Sequence, residues 1–253
     1  EGDHNTHGAP LPQDEIDLTK QNLGLPDKDF YVPSEVIEHF SYRFSDLNHE
    51  SKNWKKMYKE YNNNSELKDL ITNTIAGKII SEFDIPDFNS GDILATRKAF
   101  GSVLDSIAKD LPQLVGGSAD LEPSNYTGNF AETYGDFKKT NKSGRNIPFG
   151  VREFPMAAIM NGMALHGGII PFGGTFLVFS DYEKPALRLA AIQKVRVIHE
   201  FTHDSFYVGE DGPTHQPIEH IMSLRAIPDF KVYRPADAKE TASCMKLAIK
   251  DKT

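Results

Sequence analysis

Apolar positions are scattered through the first third of the chain and become periodic after it. Residues 1–15 are polar and contain the loop-like run His7-Gly8-Ala9-Pro10-Leu11-Pro12. Residues 28–92 read as mixed helical scraps, punctuated by Asn62-Asn63-Asn64-Ser65 and by Asp87-Phe88-Asn89-Ser90-Gly91-Asp92, both rich in turn-forming residues. The pattern predicts a tail over 1–15, a linker region over 16–92 and a core-bearing domain over 93–253.

Within that domain the period alternates. Leu94 to Leu111 has helical spacing, Leu114-Val115 is a short strand closed by Gly116-Gly117, and residues 122–145 are polar and loop-like. Further strands are predicted at Ile147–Val151, Ile169–Phe172, Val195–Phe201 and Phe230–Tyr233. Helices are predicted at Phe154–Leu165, about 176–192, about 215–226 and Ala238–Lys250. Strands alternating with helices give an α/β fold, a mostly parallel sheet with helices on both faces. Ligands of such sheets gather beyond the C-terminal strand ends. The residues to examine are therefore Gly117–Asp120, Arg152-Glu153, Gly173–Phe176 and the stretch from Thr202.

Composition narrows the function classes. The 253 residues are 39% hydrophobic and 25% charged, enough for one sizeable core plus an extension. A net charge of −8 offers no basic footprint for nucleic acid, and no apolar run is long enough to span a membrane. Cys244 is the only cysteine, which excludes an intramolecular disulfide and a cysteine-rich metal site and favours a reducing, cytoplasmic setting. The chain starts without a signal-like segment and stops just after a helical stretch, so both ends read as cuts. Asn125-Tyr126-Thr127 matches a glycosylation sequon, a pattern frequent by chance.

The densest chemistry lies between His203 and His215, with Asp204, Glu210 and Asp211 among Gly209, Gly212 and Pro213. Histidines there suit proton transfer or hydrogen bonds to a sugar or phosphate. The plainer reading is a polar loop in which Thr214 caps the next helix. Glu153 opens a Met- and Ala-rich helix, either as a helix-dipole glutamate or as a buried carboxyl for a ligand nitrogen. Phe176, Phe179 and Tyr182, three apart, would fall within about a 120° arc of a helix, as a core stripe or as a wall for a flat heterocycle. Arg97 is either solvated or, near a hydroxyl and a histidine, part of a phosphate clamp. His199 and His220 read as structural.

Several of these segments resemble transketolase signatures: Leu114-Val115-Gly116-Gly117-Ser118-Ala119-Asp120-Leu121 with Pro123-Ser124-Asn125, Phe149-Gly150-Val151-Arg152-Glu153, Phe172-Gly173-Gly174-Thr175-Phe176 and Thr202-His203-Asp204-Ser205. The most specific is Gly209-Glu210-Asp211-Gly212-Pro213-Thr214-His215-Gln216-Pro217, and His7-Gly8-Ala9-Pro10 resembles the end of the family's diphosphate-binding domain. The motifs keep the family's order from residue 7 to Ala236. The resemblance implies transfer of a two-carbon ketol unit between sugar phosphates in the pentose phosphate pathway. The cofactors would be thiamine diphosphate with Mg2+ or Ca2+, in a homodimer.

By resemblance, Glu153 hydrogen bonds the aminopyrimidine ring, Phe179 stacks on it with Phe176 and Tyr182 lining the pocket, and Asp120 lies near the other ring. Arg97, Ser124 and His203 hold the sugar phosphate, Asp211 reads a hydroxyl, His215 faces the reacting carbons and His7 helps move protons. The metal ligands and the domain's final strand would lie outside this chain, leaving a pyrimidine-binding domain at 93–253 that is inactive alone. Phe154-Pro155 and Phe206-Tyr207 are bulkier than the family pattern. Competing readings are dihydroxyacetone synthase, a ketoacid dehydrogenase component, a non-catalytic interaction module, and a metal hydrolase using His203, Asp211 and His215. That loop spacing fits no zinc motif.

Overall fold

The structure, a computed structural model, describes residues 4–79, 82–89 and 91–251, the side chain of Ser65 excepted. The chain divides into two compact units, Glu1–Asn64 and Ser65–Thr253.

In the first unit, α1 (Gln13–Asn22) and α2 (Ser34–Tyr61) each start directly after a proline, Pro12 or Pro33. A proline there costs no helical hydrogen bond, because the first N–H groups of a helix have no partner. The stretch expected to hold helical scraps thus contains one continuous 28-residue helix. Ile37, Phe40, Phe44, Leu47, Trp54 and Tyr61 form an exposed stripe along it at intervals of three, four or seven residues. Ser51 interrupts that stripe, which masks the helical period in the sequence.

The second unit runs α3 (Ser65–Ile75), α4 (Thr96–Asp110), β1 (Leu114–Ser118), α5 (Glu122–Asn125), α6 (Gly128–Tyr134), α7 (Glu153–His166), β2 (Ile170–Phe176), α8 (Ser180–Gln193), β3 (Ile198–Thr202), α9 (His220–Arg225) and α10 (Ala238–Lys250). The three strands form a parallel sheet in the order β1-β2-β3, with Gly116 opposite Phe172 and Phe172 opposite Ile198. On one face α4 and α10 pack Leu104, Ile107, Met245 and Ile249 against Leu114, Ile170, Phe172 and Ile198. On the other, Met156 and Met160 of α7 lie over Gly173, and Asn161 Nδ2 donates to Ala186 O of α8 at 2.9 Å. The α/β class with helices on both faces is what the alternating periods predict.

Four local expectations change. Residues 122–145 hold α5 and α6: Pro123 sits at the start of α5, Gly135 closes α6 at φ 68°, and Phe130 packs edge-on to Phe172. Ile147–Val151 is no strand. It follows β1 through Ile147 N→Gly116 O and Phe149 N→Ser118 O, and Pro148 has no N–H to continue the ladder. Phe230–Tyr233 is not hydrogen bonded as a strand, so β3 pairs only with β2 among the described residues. The helix expected from about 215 begins at His220, and Thr214 does not cap it; its hydroxyl lies 3.0 Å from His215 Nδ1 within a 3-10 turn.

Candidate functional site

Three backbone devices aim side chains beyond the strand ends. At the end of β2 the chain enters a 3-10 turn, Leu177–Phe179, before α8 begins. Three residues per 3-10 turn eclipse positions i and i+3. Phe176, Phe179 and Tyr182 therefore stack, with centroids 5.6 Å and then 6.0 Å apart, although they do not share the single helix expected for them. At the end of β3 His203 takes φ 52°, a left-handed conformation that few non-glycine residues adopt, and its ring lands 3.8 Å from Phe176. At the start of α7 Glu153 occupies the first turn, where the helix dipole favours an acid.

A hydrogen-bonded chain ties this crevice to the sheet. Asn125, wholly buried, accepts from Ser118 Oγ at 2.9 Å and donates Nδ2 to Thr175 O at 3.2 Å and to Thr202 Oγ1 at 2.9 Å. Thr202 Oγ1 lies 2.9 Å from His203 Nδ1, and Arg97 Nη1 lies 3.3 Å from His203 Nε2 and from Ser124 O. Arg97 can only donate, so His203 Nε2 accepts and its proton sits on Nδ1, pointing at Thr202. Burial and then the Arg97 charge hold the His203 imidazole below its usual range, in keeping with that neutral form. His215 stands edge-on to Phe179 at 5.3 Å, and the charge of Asp211 acts on His203.

The structure thus brings together Arg97, Ser124 (through its backbone carbonyl), Phe176, Phe179, Tyr182, His203, Asp211 and His215. Asp120 is exposed beyond β1 at φ 64°, and its side chain makes no hydrogen bond or ion pair among the described residues. His7 is an exposed turn residue of the first unit. The sequon at Asn125 is a buried hub, unavailable to a glycan.

Sequence reasoning marks His199 as structural but misses the buried Glu183 beside it and buried Glu200. His199 Nδ1 lies 3.0 Å from Glu183 Oε2, with side chains 4% and 0% exposed. Glu200 is buried on β3 with neither carboxyl oxygen hydrogen bonded among the described residues, and both Asn125 N–H donors are used elsewhere. It borders a cavity of about 580 Å3 also lined by Arg97, His203, Asp211 and Arg234. A charged residue inside a β-rich apolar run was the signal available for His199 and Glu200. Asp181, Glu219 and His220 are a further cluster with ligand atoms within 4.8 Å, in which buried His220 Nε2 meets Asp181 Oδ2 at 3.1 Å.

Burial pushes Glu200 well above the usual carboxylate range, with Arg97 pulling the other way. The folded state therefore keeps this proton at pH values where the unfolded chain has lost it. Stability from this group is fully present below 4.5, the ordinary glutamate value, and is lost as pH rises through the folded value. Glu200→Gln is expected to remove that loss and to raise stability near pH 7.5 by about 1–3 kcal/mol, with little gain at pH 4. Urea unfolding at the two pH values measures it, and a variant no more stable than wild type at pH 7.5 contradicts it.

Fold and site place the chain among α/β domains that hold a ligand beyond the C-terminal ends of a parallel sheet. Residues 92–253 match the family model described as transketolase, pyrimidine binding domain, and residues 1–80 the one described as transketolase, thiamine diphosphate binding domain. Over 253 residues the chain is 47% identical to the transketolase of Bacillus subtilis, covering 98% of this chain and 38% of that protein. Among solved structures, transketolase from Leishmania mexicana superposes with a TM-score of 0.81 at 41% identity, covering 97% of this chain and 37% of the other. Pichia stipitis transketolase in complex with sedoheptulose 7-phosphate gives 0.79 at 38% identity, covering 98% and 38%. The chain belongs to the transketolase family. It spans about 38% of the length of the curated relatives it matches.

Proposed function

We propose that the whole protein transfers a two-carbon ketol unit from a ketose phosphate to an aldose phosphate. The observation that carries this reading is the 3.8 Å contact between Phe176 and His203. It joins a stacked aromatic wall, suited to a flat heterocycle, to an Arg97–His203 point suited to a phosphate. The printed description of the Pichia stipitis complex supports sugar phosphates as the substrate class.

The residues fit a thiamine diphosphate pyrimidine. The aromatic ladder is flat, and the Glu153 carboxyl accepts no hydrogen bond among the described residues, leaving it free for a ring nitrogen. Bound thiamine diphosphate supplies the carbanion chemistry that protein side chains lack. Phe179, flanked by Phe176 and Tyr182, orients the ring, and Glu153 holds a proton at a ring nitrogen. Arg97, Ser124 and His203 position the sugar phosphate, Asp211 binds a hydroxyl, His215 faces the reacting carbons, and His7 helps move protons. Asp120 borders the cofactor. The divalent ion, Mg2+ or Ca2+, is assigned no ligand among these residues.

The same reading makes 93–253 the pyrimidine-binding domain, 1–15 the tail of the diphosphate-binding domain and 16–92 the linker. It places the protein in the cytoplasm and in the pentose phosphate pathway as a homodimer, and these 253 residues alone are inactive. No described helix is long and apolar enough to cross a membrane.

Arg97→Ala and His203→Ala in the whole protein test the phosphate site. Loss of one charge-assisted hydrogen bond costs about 1.5–3 kcal/mol, so KM for phosphorylated sugars should rise by about 10- to 150-fold with a smaller change in kcat. Unchanged KM values in both variants would remove these residues from the site, and no ketol transfer between xylulose 5-phosphate and ribose 5-phosphate by wild type would overturn the function.

A further inference from the structure

α7 leads into β2 and α8 follows it, so both helices begin at the C-terminal edge of the sheet, and they pack side by side. Each carries a glutamate in its first turn, Glu153 on α7 and Glu183 on α8. Glu183 has no exposed surface, and His199 reaches it from β3 with Nδ1 3.0 Å from Oε2. Apart from that contact, both carboxyl oxygens of Glu183 and both ring nitrogens of His199 lack a hydrogen-bond partner among the described residues. A buried carboxyl and imidazole with only each other are costly to keep in a helix–sheet interface.

Titratable groups surround this pair from several elements: Glu200 follows His199 on β3, and Lys194, Arg196, Asp229, Lys231 and Asp251 line a cavity that His199 borders. From α7, Met156, Met160 and Asn161 are neutral and Glu153 is the acid; β2 carries no titratable side chain. On α8 itself, Asp181 is engaged by His220 and Lys184 by Ser223. Burial pushes Glu183 above the usual carboxylate range, His199 draws it back, and the charge of Glu153 raises it further.

We propose that Glu183 and His199 form a buried positioning pair behind Glu153, whose charge state decides how firmly Glu153 keeps its proton. The functional consequence rests on the role given to Glu153 above; the coupling itself does not. Two neighbouring carboxyls resist being ionised together and titrate as a pair. A Glu153 that gives up its proton leaves a second negative charge beside Glu183. When His199 is protonated it offsets that charge, and when it is neutral it leaves Glu183 to bear the repulsion. Because coupling free energy is reciprocal, whatever Glu153 does to Glu183 is returned. His199 also borders two cavities, of about 350 Å3 and 580 Å3.

Carboxyl-carbon NMR of the 253-residue chain, labelled at glutamate, reads this directly. In Glu153→Gln the Glu183 resonance should titrate at lower pH by roughly one pH unit, and in His199→Gln at higher pH. Glu153 is only half-buried, so its variant tests the coupling without emptying the core. A Glu183 curve unmoved by Glu153→Gln overturns the proposal. In the whole protein, Glu183→Gln should move the alkaline limb of the kcat profile to lower pH while KM for sugar phosphates stays within about twofold. Uniformly lowered kcat with an unmoved limb makes Glu183 structural and also overturns the proposal. If the NMR coupling is present but wild type shows no ketol transfer, the pair stands and the functional reading falls.

Discussion

Glu153→Gln in the whole protein is expected to lower kcat by about 10²- to 10⁴-fold, the range that a positioned proton donor contributes. The substitution keeps the length and planarity of the side chain, so the start of α7 should be undisturbed. A glutamine can still offer a hydrogen bond to a ring nitrogen, but it has no proton to hand over and take back. Thiamine diphosphate affinity should therefore change far less than turnover, because the Phe176–Phe179–Tyr182 ladder is unaltered. Steady-state rates at saturating cofactor, with calorimetric titration of the cofactor into wild type and variant, separate the two quantities. Turnover near wild type at saturation would remove Glu153 from the chemistry. Turnover lost in step with cofactor binding would make it a binding group.

The parts of the site legible in the sequence are those where one residue type implies one physical demand. A glutamate opening an apolar helix, a histidine-rich loop among glycines and aromatics three apart could each be named from spacing alone. Their joint placement could not, because it depends on a 3-10 turn after β2 and a left-handed His203 after β3. Neither has a local signature: Leu177–Phe179 is an apolar run with no glycine or proline to mark a turn, and His203 carries no glycine's freedom. The buried Glu183–His199 pair and Glu200 escaped for the opposite reason. Lys184 beside Glu183 and the place of Glu200 between His199 and Phe201 make the two glutamates read as solvated positions, while His199 reads as structural with no partner to name. Only the packing of α7 and α8 on β2 and β3 puts them out of water. In the fold, helices α4 and α10 and the three paired strands followed their periods. The Phe230–Tyr233 run has strand composition but pairs with no strand among the described residues, and pairing is a tertiary fact that composition does not carry.

Gly116→Ala is expected to destabilise the second unit by about 3 kcal/mol or more, because the methyl group has nowhere to go. A Cβ at this position would lie 1.9 Å from Phe172 O and 2.6 Å from Phe172 Cδ1. The obstacle is the backbone of the central strand, and its side chain is 1% exposed and held edge-on by Phe130. β1 cannot retreat, since Gly116 N donates to Arg145 O and Gly116 O accepts from Ile147 N. Arg145 is in turn fastened to Leu114 O, Ala108 O and Leu111 O, so movement of β1 would strain the end of α4 as well. The glycine pair read from the sequence as closing the first strand is thus required, at Gly116, by the approach of one strand to another. Gly162→Ala is the control: it lies inside α7 with nothing within 4 Å of the added carbon, and should stabilise by about 0.5–1 kcal/mol. Denaturant unfolding of the 253-residue chain and both variants measures the contrast. A Gly116→Ala protein within about 1 kcal/mol of wild type would mean that β1 and β2 are not in the register that sets Gly116 against Phe172.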